Sequence, residues 1–412
     1  VTRAESAALA IDRWLLGEAM GLELTAIISG LAFRLRASGL QADRLSISFG
    51  LLNPSVLAGG VIWRPDQELE FAKYAYINRN SGVYERSPFK VANDTGRWVD
   101  LDLDATPDEA FGVVPELKAE GLKHYIVIPL RAEAGRTMHV TVATKAPDGF
   151  SPEARAMLND IMLALRATIE LKSLNIILGD VLSAYVGKTP ARQIVSGTVH
   201  RGETREVRAA ILVADLRGFT SISTQLPPET TAEVINRYYD VVVPPIERHG
   251  GEVLKFIGDA VLAVFPSEKG GDEMAVMAAL DAAREALSTK VDPFERDGVK
   301  APITFGVAIH LGEAAYGNVG SGNRLDFTVI GRDVNVAARI ASLCSRLGRD
   351  YLVSDEVAEI GRRHGRSMKY AGAHEVRGLN GPVPVYVPDV EILHPECDDG
   401  VSMGLTLVPS TA

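Results

Sequence analysis

Asp215 closes the apolar run ILVAD and is followed at once by the turn LRGFT, while Asp259 sits in the turn of VLKFIGDAVLAVF, residues 253–265. A carboxylate at the end of a buried strand costs desolvation free energy unless it finds a partner. A glycine-containing turn behind it aims backbone N–H groups at an anion. If the 253–265 hairpin pairs beside 207–215, the two aspartates lie at one end of the sheet and share divalent cations. Mg²⁺ is held in this way, by one or two carboxylates plus substrate phosphates. A third stretch, LDFTVIGRDVNVAARI at 325–340, reads as strand, glycine turn and helix, with Asn335 and Arg339 on one face at i and i+4. Each signal has a plain alternative. Asp215 caps a loop, Lys255 and Asp259 form a surface ion pair worth about 0–1 kcal/mol, and Asn335 and Arg339 share a solvated face. Together the three point to metal-assisted phosphate chemistry.

Elements of two kinds must position these residues. Residues 1–150 alternate helix-like and strand-like segments (LSISFGLL, GGVIW, LEFAKYAYI, HYIVIPL, RTMHVTVAT), an α+β pattern around one sheet. A long helix is expected over 152–186, with Ser151 as N-cap, Pro152 at the first helical position and Gly187 as the stop. Within it Ala164, Ala167, Leu171, Leu174, Leu178, Val181 and Tyr185 step by three and four, the spacing of a coiled-coil seam. This predicts a parallel dimer stalk, with packing on its own domain as the alternative. Residues 151–204 therefore divide into helix and linker, the polar run 188–207 being rich in turn formers. A second α+β domain is expected over 205–392, with helices near 228–248, 272–289 and 333–347 and one sheet covered by helices. Residues 393–412 read as a loose polar tail.

At 412 residues the chain is long enough for two or three domains, and 46% apolar with 23% charged residues is ordinary for a globular protein. A formal net charge of −10 without a basic run argues against duplex nucleic acid as partner. The opening apolar stretch is broken by Asp12, Arg13, Glu18 and Glu23, so neither a membrane span nor a secretory signal is expected. Cys344 and Cys397 have no metal-ligand spacing around them, and a cytoplasmic, reducing compartment is the simplest expectation.

In this order and at these intervals, ADLRGFT, LKFIGDA and FTVIGRDVNVAARI resemble the catalytic domain of the class III nucleotidyl cyclases, over about 205–390 and including the closing VRGLNGPVPVYVP. The resemblance implies a ferredoxin-like α+β domain and an adenylate cyclase that converts ATP to cyclic AMP and pyrophosphate. It implies Asp215 and Asp259 as ligands of two Mg²⁺ or Mn²⁺ ions, Asn335 as the residue orienting the ribose, and Arg339 on the phosphorus as charge builds. The backbone around Gly218, Phe219 and Thr220 would hold the distal phosphates, with Arg377 a further candidate. In this family the site lies across a homodimer, so that Lys255 would read a purine in one site while Asp259 holds metal in the other. A donor at Lys255 suits N1 of adenine. Thr328 stands at the second base-reading position, as in a subgroup with bicarbonate-responsive members; its hydroxyl both accepts and donates, which loosens discrimination. The open alternatives are a cyclase using GTP or a pyrimidine triphosphate, and a nucleotide-binding regulatory module without turnover.

The stretch from His124 through Phe150-Ser151-Pro152-Glu153 to the long helix resembles the end of a GAF domain, covering about 20–170. That implies a sensor domain binding a small ligand, or one that merely dimerises. His124 and His139 invite a cofactor reading, with a structural role the more ordinary one. Trp63, Phe71, Tyr74, Tyr76 and Trp98 line a pocket or form core.

Overall fold

The computed structural model describes residues 3–53, 56–75, 82–131, 137–198, 200–267, 271–296, 299–322, 324–376, 381–389 and 406–407. The chain divides into two compact units, Val1–Ala184 and Tyr185–Ala412.

The first unit runs α1 (Arg3–Leu16), α2 (Leu24–Ala37), β1 (Arg44–Gly50), β2 (Val56–Trp63), β3 (Glu70–Ala75), α3 (Pro88–Thr95), β4 (Val99–Asp102), α4 (Val114–Ala119), β5 (His124–Arg131), β6 (Thr137–Thr144) and α5 (Pro152–Val186). Its antiparallel sheet has the order β3-β2-β1-β6-β5-β4. Strand alternation sorts the side chains. Met138, Val140 and Val142 face a core shared with Ile27, Leu31, Ile161 and Leu165, while Tyr125, Val127 and Ala143 face a second core with Ala92 and Leu117. Trp63 and Trp98 pack against the first core, whereas Phe71 and Tyr74 are exposed and Tyr76 lies outside the described residues.

Both histidines are tied into the fold. The Nδ1 of His124 accepts from the Phe150 amide at 3.0 Å, and its Nε2 meets Asp100 at 2.6 Å. The Nε2 of His139 bonds the Asn93 Oδ1 at 2.8 Å, and the Phe89 ring lies edge-on at 4.7 Å. Burial pushes His139 down to about 4. The unfolded chain, titrating near 6.5, takes up a proton first, so stability is whole above that pH and lost as pH falls toward 4. The loss is expected to reach roughly 2 kcal/mol by about pH 4.5. All three tryptophans lie in this unit, so tryptophan fluorescence melts at stepped pH read it directly. His139→Gln should flatten the slope, and an equal slope in the variant would refute the assignment.

The helix α5 starts where its signals place it: the Ser151 hydroxyl accepts from the Ala154 amide at 3.2 Å. Its burial is split between the two readings of its spacing. Ala164, Leu165, Thr168, Ile169, Ser173 and Ile177 are buried, whereas Ala167, Leu171, Leu174, Leu178 and Tyr185 face outward, Tyr185 at 85% exposure. Ala164 thus belongs to its own unit and not to an open seam.

The second unit runs α6 (Lys188–Val195), β7 (Thr204–Leu216), α7 (Phe219–Gln225), α8 (Pro228–Arg248), β8 (Glu252–Ile257), β9 (Ala260–Pro266), α9 (Gly271–Ser288), β10 (Phe294–Arg296), β11 (Val299–Ala301), β12 (Phe305–Ser321), β13 (Arg324–Ile330), α10 (Arg332–Leu347), β14 (Tyr351–Ser354), α11 (Asp355–Arg363), β15 (Met368–His374) and β16 (Val383–Pro388). The main sheet has the order β15-β16-β14-β12-β7-β9-β8, with β13 also on β12. Its one parallel pair among the described residues is β12 with β14. Helices α8, α9 and α11 bury one face, with Tyr238, Val242, Ala279, Leu280 and Val357; α10 covers the other with Val336, Ala337, Ile340 and Cys344.

Where a linker was expected, residues 188–195 form α6. The Thr189 amide donates to Glu252 Oε1 at 2.7 Å and Pro190 and Ala191 are buried, so tertiary anchoring overrides the turn-forming composition. Of the expected tail, Thr406–Leu407 falls among the described residues and pairs with β11.

Candidate active site

Two neighbouring ladders bring Asp215 and Asp259 together. Strand β7 pairs antiparallel with β9, Ala214 opposite Val261, so Asp215 at the end of one strand meets Asp259 in the turn before the other. Gly258 makes that turn in the left-handed region, φ 65°. The two half-buried carboxyls face each other, and Asp215 is pushed up to about 6, first by burial and then by the facing charge of Asp259. Asp259 is also raised by burial, partly offset by backbone N–H groups including that of Leu216. Two carboxylates this close favour one shared proton or a cation between them. The donors are oxygens alone, which fits Mg²⁺ or Mn²⁺. Among the described residues, no group of three or more His, Cys, Asp or Glu side chains is set to hold a metal. The rest of a coordination shell therefore has to come from phosphates, backbone or water.

The turn after Asp215 is anchored through a residue that sequence reasoning passed over. Arg217, with little exposed side chain, meets Asp350 at 2.5 Å and the Arg349 carbonyl at 2.5 Å. Its amide donates to the Thr304 carbonyl at 2.8 Å. Gly218, at φ 70°, caps α7; Phe219 packs on the core and Thr220 is exposed.

Asn335 is exposed and Arg339 half-buried, one turn apart on α10. The apolar face of that helix fixes their direction, and Asp333 pins its start by accepting from the Glu313 amide at 2.8 Å. Among the described residues no hydrogen bond or ion pair links Asn335 or Arg339 to either aspartate. Lys255 does not pair with Asp259, so the surface-pair reading fails. It forms an ion pair with Asp326 on β13. Thr328, opposite Gly317, is two residues on and therefore on the same strand face as Asp326. Arg377 lies outside the described residues.

Residues 203–388 match the family described as the adenylate and guanylate cyclase catalytic domain. An uncharacterized protein of Mycobacterium tuberculosis is 30% identical over 190 residues, 45% of this chain and 33% of its own length. An adenylate cyclase of Anabaena cylindrica is 35% identical over 153 residues, 36% of this chain and 30% of that one. The crystal structure of the adenylyl cyclase CyaB from P. aeruginosa aligns with 47% of this chain and 100% of its own, at 24% identity and a TM-score of 0.39. The C-terminal half thus carries a class III adenylate/guanylate cyclase catalytic domain, and the matched part spans about a third of the curated relatives' length. No described helix is long and apolar enough to cross a membrane.

Proposed function

We propose that this protein is an adenylate cyclase, converting ATP to 3′,5′-cyclic AMP and pyrophosphate at sites shared across a homodimer. The observation that carries the reading is the Asp215–Asp259 pair, two half-buried carboxylates brought together at one end of the sheet by the β7–β9 ladder, with oxygen donors alone. When bound there, two Mg²⁺ or Mn²⁺ ions would acidify the ribose 3′-hydroxyl and neutralise the triphosphate. Asp215 and Asp259 hold them. The amides around Gly218, Phe219 and Thr220, with Arg377, take the distal phosphates. From the partner chain, Asn335 orients the ribose, and Arg339 stabilises charge on the α-phosphoryl group as the 3′-oxygen attacks in line. Lys255, freed from Asp326, donates to adenine N1 while Thr328 accepts from the amino group. Residues 1–150 act as a GAF-like sensor through α5, and Thr328 places bicarbonate among the candidate regulators.

Incubating the protein separately with ATP, GTP, CTP and UTP plus Mg²⁺ or Mn²⁺, with cyclic nucleotides quantified by mass spectrometry, tests the reading. Cyclic AMP should dominate. A dominant cyclic GMP would overturn the choice of base, and no product with any nucleotide would favour the silent regulatory module.

A further inference from the structure

The hairpin that carries Lys255 and Asp259 is poorly held by its own sheet. Strand β8 is an edge strand, its register with β9 shifts between Val253 and Lys255, and Phe256 and Ile257 at its tip are 48% and 56% exposed. An irregular edge ladder fixes a turn weakly. Beside the ion pair of Lys255 with Asp326, a hold on this one comes from α8. The adjacent Tyr238 is sealed in the core, its ring 5.4 Å from that of Phe305. Tyr239, half-buried, turns toward the hairpin instead: its hydroxyl donates to the Gly258 carbonyl at 2.9 Å, and its ring lies 4.2 Å from the Phe256 ring, tilted by 31°. The hydrogen bond lands on the residue before Asp259, and the ring contact on the residue after Lys255.

We propose that Tyr239 is a positioning residue for both charges of the hairpin, holding Asp259 through the Gly258 carbonyl and Lys255 through the Phe256 ring. The proposal rests on the reading of Asp259 as metal-holding and Lys255 as base-reading. It adds a consequence that neither role has alone. In the proposed dimer the two charges belong to different pockets, so removing this one side chain weakens metal binding and base choice together.

Tyr239→Phe removes the hydroxyl and keeps the ring; Tyr239→Leu removes both contacts. In the full chain, free Mn²⁺ is measured by electron paramagnetic resonance, amide exchange is followed across 255–260, and the ratio of kcat/KM for ATP and GTP is determined. Tyr239→Phe should weaken Mn²⁺ binding about three- to tenfold, the scale of one hydrogen bond. It should also speed exchange across 257–260 while leaving 137–144 unchanged. Tyr239→Leu should do more of each and, with the ring contact gone, narrow the preference for ATP as well. Mn²⁺ titrations and hairpin exchange that superimpose on the wild type would overturn the proposal, as would faster exchange throughout the chain. A wild type that binds Mn²⁺ but forms no cyclic nucleotide overturns the cyclase reading alone, since the Mn²⁺ and exchange measurements still decide Tyr239. A wild type that binds no Mn²⁺ overturns both.

Discussion

Asp259→Asn is expected to lower cyclic nucleotide formation about a thousandfold, equivalent to roughly 4 kcal/mol of lost transition-state stabilisation, and at the same time to make the second unit more stable. The two effects have one origin. Burial holds the carboxyls of Asp215 and Asp259 above their ordinary range, and the charge of Asp259 raises Asp215 further, so at neutral pH the folded chain carries a cost that the unfolded chain does not. The amide removes the charge and keeps an oxygen to accept the Leu216 N–H. After allowing for partial exposure the gain is about 1 kcal/mol, or roughly 2–4 °C in Tm for a domain of this size. Millimolar Mg²⁺ should raise the Tm of the wild type and leave that of the variant in place, because only the wild type binds it in the folded state. Calorimetry with and without Mg²⁺, beside a cyclic nucleotide assay, measures all three. A variant that is both active and less stable would mean that the pair is a structural hydrogen bond.

Arg339→Ala is the companion, with kcat falling about a hundred- to a thousandfold and KM little changed, since the guanidinium acts on charge that exists only in the transition state. The sharper result comes from mixing. If each site takes its aspartates from one chain and Asn335 and Arg339 from the other, a heterodimer of Asp259→Asn with Arg339→Ala contains one site with neither lesion. Random pairing of equal amounts makes half the dimers mixed, so about a quarter of wild-type activity should return on co-refolding two inactive proteins. Activity that stays at the level of the separate variants would show that each chain holds a whole site.

How far the sequence spoke depended on whether a feature was local. Asp215 beside Asp259 was legible because the two apolar runs that carry them read as strands of one sheet, although α7 and α8 lie between them, and the glycine before Asp259 marks the turn. Asn335 and Arg339 needed nothing beyond helical period. The ion pair of Lys255 with Asp326 was hidden, because β8 and β13 are not ladder neighbours and meet through the folding of the sheet. Asp326 does alternate with Thr328 along RLDFTVIG, the one trace that could have pointed to it. Arg217 was hidden for a similar reason: its partner Asp350 comes from the turn after α10. In α5 the three-four spacing was read correctly, yet spacing does not say which of two apolar faces meets its own sheet, and Ala164 went inward while Leu171 and Leu174 did not. Helix α6 was missed because Pro190 and the flanking glycines read as loop, whereas its start is held by Glu252, far away in sequence.

The short distance along the chain between Lys255 and Asp259 has an evolutionary side. On the proposed roles, a drift in the hairpin backbone that relaxed nucleotide choice would also disturb the turn proposed to hold cations. In the proposed dimer, a lineage changing its nucleotide has to do so by exchanging side chains at positions 255, 326 and 328 on an unmoved hairpin.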